Sequence, residues 1–175
     1  MTDDARPALD DATLAFAGRV FQFARMGHAA ELAELFAQGL PANLRNDKGD
    51  SLLMLAAYNG QAEAARVILE AGGDTELAND RGQTPLAGAA FKGDAGMVRL
   101  LLDHGAPVDG AGDGTRTALM VAAMFDRIEI VDLLLAEGAD PARLDGSGQT
   151  AADMARAMGA QVTPARLDEA AAGKA

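Results

Sequence analysis

The sequence predicts an all-α fold, a solenoid of stacked helix-turn-helix units joined by β-turn or hairpin tips, and two observations carry that expectation. The first is a set of ladders at one spacing. Gly27, Gly60, Gly93 and Gly159 recur at intervals of 33, 33 and twice 33 residues, with Asp126 filling the missing step. Gly39, Gly72, Gly105 and Gly138 form a second series, and Ser51-Leu52-Leu53, Thr84-Pro85-Leu86, Thr117-Ala118-Leu119 and Thr150-Ala151-Ala152 form a third, both at 33 residues. A feature repeated at a fixed interval reports a structural unit that buries its apolar face only against its neighbours. The second observation is composition. Hydrophobic residues make up 49% of the 175, but aromatics only 4% and there is no Trp. Such a chain is too apolar for disorder. Its core has to be assembled from small and aliphatic side chains, which favours helix packed on helix.

The elements follow in order. Residues 1–13 read as an N-terminal arm, disordered over 1–9, with Asp10-Asp11-Ala12-Thr13 as a helix N-cap cluster. Four units are placed at 14–46, 47–79, 80–112 and 113–145, with a partial fifth at 146–172; the first and last are caps. The third unit shows the logic. Asn79 to Pro85 sets a hairpin-like tip with Gly82 free to take positive φ, and Thr84 caps a helix begun by Pro85 and running to about Lys92. Gly93 closes that helix. Met97, Val98, Leu100, Leu101 and Leu102 then give a second helix its buried stripe, which Gly105 ends. At the far end Arg156 stands on the rung held by Ala24, Ala57, Ala90 and Ala123, a bulky charge that fits only an exposed last layer. Thr163-Pro164 starts a short closing helix to Ala172, and Gly173 to Ala175 fray.

Period, turn, cap and both glycines together resemble the ankyrin repeat, whose 33-residue unit carries T-P-L-H-x-A, a second helix and a Gly-Ala-Asp-like loop. The resemblance covers Leu14 to Gly159 and is clearest in Asp80 to Gly105 and in Leu133 to Asp140. Two departures stand out. The His of T-P-L-H, which in the family links neighbouring turns, is Met54, Ala87, Met120 and Asp153 here, so packing is expected to hold the turns. Gly88 occupies a rung filled elsewhere by Leu55, Val121 and Met154, a soft spot costing about 1 kcal/mol in helix propensity plus lost packing. The short, Ala- and Arg-rich chain also resembles small free-standing ankyrin proteins of bacteria.

Charge narrows the function classes. A formal net charge of −11 repels phosphate backbones and anionic membranes, so neither nucleic acid nor membrane is an expected partner. The start of the chain lacks an apolar signal core and no apolar run approaches a membrane span, which points to the cytoplasm. The absence of Cys removes thiol chemistry. No catalytic residue, metal site or cofactor is expected. His28 follows a turn glycine and His104 sits at a helix end, both structural positions too far apart along the stack to share a site. Gly110 to Thr115 superficially suggests a phosphate loop but lacks the Gly-Lys-Ser/Thr ending.

The resemblance implies a monomeric, non-enzymatic module that holds a partner protein on its concave face, through turn tips and the exposed side of the first helices. An accessory or self-assembling subunit using convex or cap surfaces is the alternative. Two rungs map onto that face: Arg25, Tyr58, Phe91 and Met124 on one, Met26, Asn59, Lys92, Phe125 and Met158 on the next. The tips add Lys48, Arg81, Arg116, Gln83, Ser147 and Gln149, with Asp47, Asp50, Asp80 and Asp113. Five cations against four carboxylates leave this face at +1 and the rest of the chain at about −12. Tyr, Phe, Met and Arg are the types that interfaces concentrate at their energetic centres. The same aromatics could instead pack between adjacent helices. Asp126, where the other units have Gly, reads either as a polar contact beside Phe125 or as drift at a permissive left-handed site; on the second reading Asp126→Gly raises the melting temperature.

Overall fold

The structure is a computed structural model that describes residues 10–111 and 116–173. It contains α1 (Asp11–Met26), α2 (Ala29–Ala37), α3 (Leu52–Tyr58), α4 (Ala62–Glu70), α5 (Pro85–Lys92), α6 (Ala95–Asp103), α7 (Ala118–Met124), α8 (Ile128–Ala136), α9 (Ala151–Ala157) and α10 (Thr163–Ala172). The odd-numbered helices stack as one row and the even-numbered helices as a second. Among the described residues the tips form no strand, only one isolated antiparallel bridge between Arg45 and Ser51. Residues 1–9, the loop 112–115 with Asp113, and 174–175 lie outside the described residues, so the expectation of disorder over 1–9, most of the glycine-rich run, and the expectation of fraying beyond Gly173 fall outside them too.

Local chemistry starts and stops each first helix as the ladders predict. Ser51, Thr84, Thr117 and Thr150 accept from the N–H groups of Met54, Ala87, Met120 and Asp153 at 3.0, 3.3, 3.2 and 3.2 Å. Each such cap contributes about 1 kcal/mol. Asp153 completes a capping box by accepting from Thr150 N–H at 3.0 Å. Gly93 closes α5 at φ 75°, in the left-handed region that costs glycine nothing. The helices then approach closely because their contact residues are small: Ala24, Ala57, Ala90 and Ala123 are fully buried in the first row. In the second row Ile68, Leu101, Leu134 and Leu167 fill one continuous rung. The last of these belongs to α10, so the closing helix continues the second row.

Three expectations need correction. The turns are not held by packing alone. At each described tip an Asn or Asp side chain folds the loop: Asn46 accepts from Lys48 and Asp50 N–H, Asn79 from Arg81 and Gln83 N–H, and Asp145 from Ser147 and Gln149 N–H, all at 2.9–3.0 Å. The first two tips are also joined to each other. Arg45 donates to Ala78 O and Asp80 Oδ1, both at 3.1 Å, and Asn79 Nδ2 donates to Asp50 at 2.8 Å.

Gly88 is not beside a gap either. A Cβ placed there would lie 3.2 Å from Met54 Sδ and 3.7 Å from Tyr58 Cδ2, so side chains of the preceding first helix already fill the space. The propensity cost stands, but the packing is not lost.

Asp126 does take the left-handed turn, at φ 53°, yet it is not drift. Its Oδ1 accepts from Val162 and Thr163 N–H at 3.1 and 2.9 Å, and its Oδ2 from Gln161 N–H at 3.1 Å. These amides belong to the approach and first residue of α10, whose own N-cap, Val162, supplies no side-chain acceptor. Thr163, fully buried, adds a bond from its hydroxyl to Ala123 O at 2.9 Å. Room for the carboxylate traces to the sequence. Gln61, Asp94 and Arg127 lie against Gly27, Gly60 and Gly93, whereas the corresponding position after Asp126 is Ala160. Arg156 is exposed as expected and pairs with Asp153 and Asp168, which ties α9 to α10.

Candidate binding face

The first helices end side by side, and three of the predicted aromatics meet there. Tyr58 and Phe91 stack nearly parallel, ring centroids 5.8 Å apart at 9°, and Phe91 meets Phe125 edge-on at 4.8 Å and 88°. Both geometries suit the ring quadrupole. The rings therefore pack against one another and still leave surface exposed. Phe91 is half-buried between its neighbours, while Tyr58 and Phe125 remain 40% and 39% exposed at either end of the ladder. Lys92 places its ammonium 5.1 Å from the Tyr58 ring centroid, so it covers the aromatic as a cation–π partner.

Two hollows lie between this ladder and the tips. The larger, about 820 Å³, has Phe91, Met124, Phe125, Ala87 and Val121 on its floor and Arg81, Gln83, Arg116, Asp145 and Ser147 on its walls. The smaller, about 240 Å³, runs from Arg25 to Arg81 past Tyr58, Asn59 and Asp50. Arg81 borders both and joins them into one trough. Of the twelve predicted binding residues, Arg25, Tyr58, Asn59, Arg81, Phe91, Arg116, Met124 and Phe125 line these hollows. Lys48, Lys92, Met26 and Met158 do not, Lys92 because its ammonium lies over the Tyr58 ring. Met26 and Met158 are 56% and 54% exposed at opposite ends of the stack, and Lys48 turns its carbonyl to Asp80 N–H at 3.2 Å.

The sequence reading missed Ala87, Val121 and Asp145. Val121 is half-buried, whereas Leu55 and Met154 on the same rung are buried. The preceding residue on that rung is Gly88, a break in an otherwise large apolar series, and that break is the sequence signal that marks the position. Asp145 holds its carboxyl below the usual carboxylate range, chiefly through the Gln149 N–H, then Ser147, with Arg116 nearby adding to the effect. Its Oδ1 is thus already engaged by the tip.

Each His makes local contacts within its own unit. His104 places Nδ1 2.8 Å from Leu100 O in the last turn of α6, and His28 stacks on Phe23 at 5.4 Å beside Glu31. Among the described residues no group of three or more His, Asp or Glu converges in a metal-binding arrangement, and no helix is long and apolar enough to cross a membrane.

Comparison with known proteins agrees with the repeat. A family model described as ankyrin repeats (3 copies) matches residues 20–111 and again 53–145, together more than half of the chain. A Pseudomonas aeruginosa protein named as an ankyrin repeat protein is 54% identical over 67 residues. That match covers 38% of this chain and 39% of the relative, so the chain spans well under half of the relative's length.

Proposed function

Because this chain belongs to the ankyrin-repeat family, whose repeats are generally protein–protein interaction modules, we propose that it is a non-enzymatic binding protein that holds a partner protein in the trough along its first helices. One observation carries the reading: an aromatic ladder that is half exposed, although its rungs need only small residues to let the helices pack. Tyr58, Phe91 and Phe125 offer rigid apolar area, and Arg25, Arg81 and Arg116 surround it with donors. Aromatic and Arg anchors beside a concave floor are what concentrate binding energy at interfaces. The acidic remainder of the surface keeps acidic partners from docking elsewhere. A monomer working in the bacterial cytoplasm, without cofactor, fits this role.

The test is affinity capture from cells of the source organism, with wild type beside the triple variant Tyr58→Ala, Phe91→Ala, Phe125→Ala. Loss of the ring contacts lowers the melting temperature of that variant but leaves its helical circular dichroism signal in place, since the Phe125 C-cap of α7 bonds through its backbone N–H, which Ala keeps, and no buried Leu is touched. The expected result is a partner retained by wild type and lost from the triple variant. Undiminished capture by the triple variant would remove this face from consideration.

A further inference from the structure

The trough has a chemical polarity that narrows what can occupy it. In the larger hollow two guanidiniums, Arg81 and Arg116, face one carboxylate, Asp145. The two sides are not equally available. Asp145 Oδ1 already accepts from Ser147 N–H, Ser147 Oγ and Gln149 N–H at 2.8–3.0 Å. Neither Arg81 nor Arg116 has an ion pair among the described residues, and neither side chain donates a hydrogen bond within them. The smaller hollow has the same excess of cations, although there Arg25 already donates to Gln22 Oε1 at 3.2 Å. Asp50 Oδ1 accepts from Asn79 Nδ2 at 2.8 Å, while Arg25 and Arg81 stand opposite it. The trough thus sets three guanidiniums, two of them without a hydrogen-bond acceptor among the described residues, against two carboxylates that each already accept through Oδ1, so cations outnumber carboxylates above an apolar floor.

An occupant must supply what the trough lacks. A guanidinium presents five donors in a planar fork and no acceptor, and its best complement is a carboxylate bound through two oxygens. The floor of Phe91, Met124 and Phe125 asks for a large apolar side chain. The volume, about 820 Å³, is that of a site for a few side chains and not for a whole domain face. A basic segment would bring further donors against free guanidiniums and leave both unpaired.

We propose that the groove between Arg81 and Arg116 binds an extended, acidic peptide segment of the partner protein, with an Asp or Glu held by the two guanidiniums and a neighbouring Leu, Met or aromatic side chain on Phe91 and Phe125. This rests on the trough being the partner-binding face. The acidic body of the protein contributes selectivity. A carboxylate-rich segment is repelled by most of the surface and attracted only where the arginines stand.

The probe is a phage-displayed library of random 12-residue peptides, panned in parallel on wild type, on Arg81→Gln/Arg116→Gln and on Phe91→Ala/Phe125→Ala, each checked for folding by circular dichroism. Wild type is expected to enrich peptides with Asp or Glu close to a large apolar residue. A synthetic peptide of that consensus should weaken about tenfold when either arginine becomes Gln, or when its own Glu becomes Gln, as expected for a charge-assisted hydrogen bond. The double arginine variant should lose the acidic bias and keep the apolar one. Enrichment that depends on Phe91 and Phe125 but shows no acidic bias overturns the acidic-peptide assignment and leaves the binding face standing. Enrichment indifferent to the aromatic pair overturns the face itself. Binding only by a phosphoserine form of the consensus, or no enrichment on wild type, also overturns the proposal.

Discussion

Asp126→Gly is expected to lower the melting temperature, the reverse of what the glycine ladder alone suggests. The substitution does relieve a left-handed residue, but Asp is among the side chains that tolerate φ 53°. Against that modest gain stands the loss of both carboxylate oxygens from three amides at the start of α10. Those N–H groups have no acceptor within their own helix, and the negative charge also faces the positive end of the helix dipole. Without the carboxylate the α10 cap undocks before the rest of the stack, which exposes Leu167 and the C-terminal face of the core. Thermal unfolding should show a drop of several degrees and a loss of cooperativity, and hydrogen exchange should show α10 opening first. Asp126→Asn should fall between the two, because it keeps one acceptor oxygen and loses the charge. A melting temperature at or above wild type for Asp126→Gly would mean that the staple does not hold.

The same group makes the cap sensitive to acid. The Thr163 N–H, ahead of the Gln161 and Val162 N–H groups, holds the Asp126 carboxyl below its ordinary value. A carboxyl lowered in the folded state stabilises the fold fully above its unfolded pKa of about 3.9, and that contribution fades as pH falls through the lower folded value. Asp10, Asp145 and Asp153 are lowered in the same direction by the N–H and hydroxyl groups they cap. Wild type should therefore lose stability on acidification below about pH 4, and Asp126→Gly should lose less over that interval because its cap is already released.

Leu101→Ala is the larger effect on the body of the stack. Leu101 is fully buried in α6, on the rung between Ile68 and Leu134, and Leu→Ala at such a site costs about 3 kcal/mol. In a repeat stack each unit is stabilised only by its neighbours, so a defect at the centre weakens both interfaces of the third unit. Chemical denaturation should shift to a clearly lower midpoint, with broadening as the two halves uncouple. A change under about 1 kcal/mol would indicate that the second-row rung relaxes to fill the cavity.

Much of the architecture is visible in the sequence because repetition makes every feature appear several times. Thr84 alone is an ambiguous cap; Ser51, Thr84, Thr117 and Thr150 at one spacing are not. The ladder is weakest where one unit departs from the others, since a departure can be noise or purpose. Gly88 and Asp126 are such positions, and their roles depend on residues of neighbouring units: Met54 and Tyr58 for the first, the α10 amides for the second. Ala160, the small residue that leaves room for the Asp126 carboxylate, is informative only once both positions are set side by side. The tip folding by Asn46, Asn79 and Asp145 was within reach, as an Asn or Asp three residues before the tip glycine in each described tip. For the candidate face, the rungs located the aromatics but not their mutual stacking. Neither could they show Lys92 spent on Tyr58, or Lys48, Met26 and Met158 lying off the trough. Those depend on side-chain direction.

The most direct measurement places a photo-cross-linking benzoylphenylalanine at Phe125, which lines the trough, and separately at Arg99, which is exposed on α6 in the second row. The benzoyl ring replaces an aromatic with an aromatic at Phe125, so the fold is retained. Irradiated in cells of the source organism, the Phe125 position should give a discrete adduct with a partner protein, and the Arg99 position should give none. An adduct from Arg99 with none from Phe125 would place the partner on the outer row and contradict binding in the trough.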